Sequence, residues 1–118
     1  MATDAARRKD LKQQYRENPP QAGVYRIVNE ATGKGLLKAT ANLPAAANRL
    51  AFAQSTGSLS ALDQRLRRDL GEAGASALRF EILDVLEVEA GTPAEDVAGD
   101  LEALESLWRE KLDPATLY

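Results

Sequence analysis

Apolar and polar positions change period several times along this chain, and each change marks an element. Strong helix formers follow a candidate cap at Thr3 or Asp4 and run to about Glu17, where Asn18-Pro19-Pro20 stops them. This predicts a polar, weakly amphipathic helical extension over residues 1–20 and a separate domain over residues 21–118. From Gly23 the chain alternates β-branched and aromatic residues with others up to Asn29, passes Glu30-Ala31-Thr32-Gly33-Lys34, and resumes with an apolar run to Thr40. Two strands, 23–29 and 35–40, joined as a hairpin by a glycine-containing loop follow from that pattern. Asn42 is placed to cap a helix over about 43–54, with Pro44 in its first turn, where a missing N–H is harmless, and Ala46, Ala47, Leu50 and Ala53 on one face.

Ser60 followed three residues later by Asp63 resembles a capping box, with Leu62, Leu66 and Leu70 in line behind it and Gly71 and Gly74 beyond, so a helix is expected over about 60–72. Alternation returns between Ala77 and Glu87 and predicts a third strand, and the turn residues after Gly91 lead into a last helix over about 94–112, stopped by Asp113-Pro114. The economical architecture for this order is α+β: a three-stranded, largely antiparallel sheet flanked by helices.

Composition narrows the chemistry. The chain has 118 residues, 44% hydrophobic and 28% charged, which suits one soluble domain, and it holds no run of apolar residues long enough to cross a membrane. The polar N-terminus shows no secretory signal, so a cytoplasmic protein without a membrane partner is expected. Cysteine and histidine are both absent, which excludes disulfides, thiolate nucleophiles, zinc clusters of the usual kind and serine triads with an imidazole base. Any catalysis must run on Tyr, Glu, Asp, Lys, Arg or Ser. The net charge of −3 is unevenly spread: the chain up to Phe80 is net basic, whereas from Glu81 to Asp113 only Arg109 and Lys111 are basic. Such asymmetry fits a nucleic-acid face as well as a merely solvated surface.

Gly23-Val24-Tyr25 at the start of a strand, Thr40-Ala41-Asn42-Leu43 opening a helix, Asp69 to Gly74 closing the next, Phe80-Glu81-Ile82-Leu83 in the third strand and Leu101 to Leu112 in the last helix come in a telling order. In that order and spacing the chain resembles the GIY-YIG nuclease superfamily, most of all short single-domain bacterial members, over roughly residues 7–114. The resemblance implies an α+β nuclease-like fold and a phosphodiesterase site built from two tyrosines, a helical arginine and a glutamate that binds one divalent ion. Such hydrolysis needs an activated oxygen and positive charge where the phosphorane forms.

Carried over position by position, Tyr25 matches the first tyrosine and Glu105 the metal-binding glutamate. The second motif falls on Leu36-Leu37-Lys38, so its tyrosine and glycine are missing, and the family arginine falls on Ala46. Lys38 and Arg49 remain as candidate catalytic cations, Arg49 lying one helical turn beyond Ala46 and about 60° from it around the axis. Arg65, Arg67 and Arg68 are candidate nucleic-acid contacts, with Arg7, Arg8 and Lys9 if they share a surface.

Each residue also has a plainer reading. Tyr25 is a strand aromatic available for packing. Glu105 falls at the edge of the apolar arc of Leu101, Leu104, Trp108 and Leu112, where a carboxylate needs a partner, whether a metal or one of Tyr25, Arg49 and Lys38. Three functions are therefore open. The first is a degenerate nuclease-like domain that binds nucleic acid or protein without cutting and needs no cofactor. The others are an endonuclease with a rearranged site using Mg²⁺ or Mn²⁺, and a protein-interaction domain with no nucleic-acid role. The sequence leaves the oligomeric state open.

Overall fold

The computed structural model describes residues 21–58, 60, 62–70 and 74–118. The expected extension over residues 1–20, with Arg7, Arg8 and Lys9, lies outside the described residues.

Three strands form one antiparallel sheet: β1 (Ala22–Asn29), β2 (Gly35–Thr40) and β3 (Leu78–Leu86), in the order β2-β1-β3. The hairpin exists because its loop carries the right chemistry. Asn29 Oδ1 accepts the Ala31 N–H at 3.0 Å, and Gly33 takes φ of 77°, a left-handed value that costs glycine nothing. β1 pairs with β2 in unbroken register from Gly23–Thr40 to Val28–Gly35. Its pairing with β3 slips between Val24 and Tyr25, since Val24 faces Asp84 and Tyr25 faces Ile82, so Leu83 is the extra residue of a bulge. Gly23 pairs with Val85 just beyond this bulge, and a Cβ there would fall on the Asp84 carbonyl oxygen. A side chain at this position would have to push β3 away.

Alternation along β1 divides the core in two. Tyr25, Ile27 and Leu36 look to one face, packed with Leu43, Ala46, Leu50 and Ala53 of α1 (Leu43–Thr56) and with Leu62 and Leu66. Ala22 looks to the other, against Val97 and Leu101 of α3 (Ala94–Lys111). The sheet is thus the middle layer of three. α1 starts as its sequence predicts, with Asn42 Oδ1 accepting the Ala45 N–H at 3.0 Å and Pro44 in the first turn.

The helix expected over 60–72 is much shorter: α2 is Gln64–Arg68 only. Asp63, not Ser60, is its cap, holding a non-helical backbone (φ −59°, ψ 142°) while its side chain accepts the Arg65 N–H. Leu62 is buried all the same, and five residues cannot sustain a helix alone. Fully buried Leu66 ties α2 to the core instead. At the chain's end Leu117 forms a parallel bridge to Gly35, and the Tyr118 N–H donates to the Gly35 carbonyl at 3.0 Å. Among the described residues no helix is long and apolar enough to cross a membrane.

Candidate functional site

Tyr25 and Lys38 are cross-strand partners, so their side chains rise from adjacent strands on the α1 face of the sheet. α1 runs over that face with Ala46, Arg49 and Leu50 on its near side, and the segment Leu62 to Leu66 closes the end. Together they bound a notch of about 40 Å³, lined also by Ile27, Leu36 and Asp63. That is room for a few water molecules. Three of the residues singled out as catalytic candidates, Tyr25, Lys38 and Arg49, therefore converge.

The electrostatics of the notch centre on Asp63, which the sequence had marked only as the partner of Ser60 in a capping box. Its Oδ1 accepts from Arg65 Nε at 3.1 Å and from the Arg65 N–H at 2.9 Å, while its Oδ2 lies 3.3 Å from Lys38 Nζ. The Arg65 side chain and then the Arg65 backbone N–H hold the carboxyl well below the usual carboxylate range against the opposing effect of burial, and the Lys38 ammonium adds to their pull. Asp63 is ionised at neutral pH, and Lys38 is its counter-ion across the notch.

Tyr25 is a packed aromatic, 6% exposed, with its ring 4.9 Å from that of Phe80 at an interplanar angle of 24°. Burial pushes its phenol above the ordinary value; the Arg49 guanidinium pulls it back, and the charges of Asp63 and Glu105 push it up again. At neutral pH the phenol keeps its proton. It can donate a hydrogen bond but is a poor base.

The positions onto which the resemblance maps a second tyrosine and an arginine are apolar and buried: Leu36 is 1% exposed and Ala46 4%. Both lie in the core cluster beneath the notch. Neither a second phenol nor a guanidinium from Ala46's position is present there.

Glu105 is placed differently from expectation. It is half-buried at the edge of the sheet, but on the side of α3, where its Oε1 accepts from Arg109 at 3.2 Å, one turn along its own helix. The partner is neither Tyr25, Arg49 nor Lys38. Its charge reaches Tyr25 only as a field. Glu105 is matched by Arg109 and Asp63 by Lys38 and Arg65, and among the described residues no three metal-ligating side chains cluster.

Of the candidate nucleic-acid contacts, Arg65 is turned back onto Asp63, whereas Arg67 and Arg68 stand exposed on α2. The sequence missed two groups at the site. Phe80 could have been found from alternation, which puts it on the same face as Ile27, its partner in β1. Asp63's second role gave no local signal, because Lys38 is far from it in the chain. No family model, no curated protein and no solved structure matches the chain.

Proposed function

We propose that this chain is a GIY-YIG-like domain that has lost hydrolysis and serves as a binding module, with nucleic acid as its first partner and protein as the alternative. The observation that carries this is the state of the notch: Leu36 and Ala46 fill the core where a second phenol and a phosphate-holding guanidinium are required, and Lys38 is committed to Asp63. Losing one preorganised transition-state donor costs about 2.7–4 kcal/mol, and here two are gone. A phenol held protonated by burial adds to the deficit. The exposed Arg67 and Arg68, with Arg49 at the notch, supply the positive charge for phosphate contact.

Binding of the purified protein to labelled single-stranded, duplex and branched DNA over a range of salt, with and without Mg²⁺ or Mn²⁺, tests this. The expected result is a linear fall of log K with log salt and no cleavage above background. Absent or salt-insensitive binding returns the protein-interaction reading. Cleavage abolished by Tyr25→Phe and by Glu105→Ala returns the active endonuclease, with Lys38 or Arg49 as its cation.

A further inference from the structure

A concavity far larger than the notch lies on the opposite face of the sheet, where α3 crosses the start of β1 and the end of β2 and leaves a groove of about 590 Å³. That is within the roughly 300–1,000 Å³ of clefts that take ligands. Its floor is aliphatic, with Ala22, Ala39, Val97 and Leu101, and Glu102 and Glu105 stand along it on α3. Glu105 is matched by Arg109, but Glu102 has no ion-pair partner among the described residues. No lysine or arginine of the described residues lines the groove. α3 as a whole holds six carboxylates against two basic side chains.

Charge and shape select among occupants. An acidic wall repels nucleic acid and anionic membrane surfaces, whereas an apolar floor beneath a carboxylate complements a basic amphipathic helix, which lays its apolar side chains into a groove and keeps its charges at the rim. The groove wall from Ala94 to Glu105 is about 17 Å long, about three helical turns. A second copy of the chain does not supply such a helix from its described residues. α1 carries Arg49 as its one basic side chain, and α2 is basic but its apolar residue, Leu66, is fully buried.

We propose that the groove between α3 and the β1–β2 hairpin docks a basic amphipathic helix of a different protein, with its apolar anchors on the aliphatic floor and its lysines or arginines toward Glu102. This site does not rest on the reading of the notch, since the two lie on opposite faces of the sheet and DNA binding is measured separately.

The test titrates the full-length protein into a fluorescein-labelled synthetic peptide of leucine and lysine, about 14 residues or roughly 21 Å as a helix, with its leucines on one face, and into its leucine–glutamate counterpart. The lysine peptide is expected to bind at least about tenfold tighter at low salt. Ala98→Trp, which fills the groove from an exposed position, should weaken that binding by about tenfold. Thr92→Trp, also exposed in the groove, replaces it if that variant loses its circular dichroism spectrum. Glu102→Lys should weaken binding by about threefold or more, and Glu110→Lys, the same charge change on α3 outside the groove, by less than about twofold. Equal weakening by the two charge reversals overturns the proposal, because it marks a general attraction to an acidic protein. So does binding that filling the groove leaves unchanged. Absence of binding overturns it too, the outcome where the chain or a second copy already fills the groove.

Discussion

Asp63 does two jobs with one carboxylate, and they separate by substitution. As a cap it needs only an acceptor for the Arg65 N–H, which asparagine also supplies; as a counter-ion to Lys38 and Arg65 it needs charge. The partners are half exposed, so the ionic part is modest. Asp63→Asn should cost about 0.5–1 kcal/mol at neutral pH, and Asp63→Ala about 1 kcal/mol more through loss of the cap. The sign of the pH dependence follows from the lowered folded-state pKa. The stabilisation from ionised Asp63 is full above the unfolded carboxylate value of about 4 and is lost as pH falls through the lower folded value. Urea melts at successive pH values should therefore show the gap between wild type and Asp63→Asn constant from neutral pH to about 5 and closing below about 4. A gap that widens in acid would mean that Asp63 is not paired as described.

At the scale of elements, α3 is attached through Val97 and Leu101 at its start and through Trp108 near its end, where Trp108 Nε1 donates to Asp84 Oδ2 at 3.0 Å. Glu105 lies between these anchors, yet its bond to Arg109 stays within the helix and fastens nothing to the sheet. Glu105→Gln should change stability by no more than about 0.5 kcal/mol, as for other pairs one turn apart on a helix surface, whereas Trp108→Phe should cost about 1 kcal/mol or more by leaving Asp84 Oδ2 without its donor. Thermal melts of the two variants side by side check the ordering; equal losses would place Glu105 against the sheet after all. The strands, α1 and α3 were legible in the sequence because local chemistry fixes their ends: Asn42 with Pro44, the loop around Gly33, and Asp113-Pro114. α2 was not. The spacing of Leu62, Leu66 and Leu70 fits a helix, but Leu62 reaches the core from a bend before the helix and the Asp63 cap starts the helix later. Convergence of Tyr25 and Lys38 was readable from strand alternation, whereas the pairing of Lys38 with Asp63 depends on how α2 docks, which no local pattern encodes.

For the molecule as a whole, the proposed GIY-YIG reading implies that the scaffold presents a nuclease geometry once a second phenol and a helical guanidinium are supplied. Leu36→Tyr, Lys38→Gly and Ala46→Arg together restore a second phenol, open the strand backbone and put a guanidinium on α1, while freeing Asp63 from Lys38. Two of the three changes enlarge buried positions beside a notch of about 40 Å³, so each of those should cost about 1–3 kcal/mol through overpacking. The triple variant is expected to melt at lower temperature than the wild type and to be assayed well below that midpoint. Because Tyr25 and Arg49 line the notch together with these positions, the proposed reading predicts metal-dependent cleavage of DNA by the triple variant and none by the wild type. Adding Tyr25→Phe should remove the gained activity without further loss of stability beyond that of one hydroxyl, about 1 kcal/mol. That control separates a restored site from a contaminating nuclease. A triple variant that stays folded, binds DNA and still leaves it intact would count against a nuclease ancestry for the notch, leaving the fold described here without the family reading placed on it.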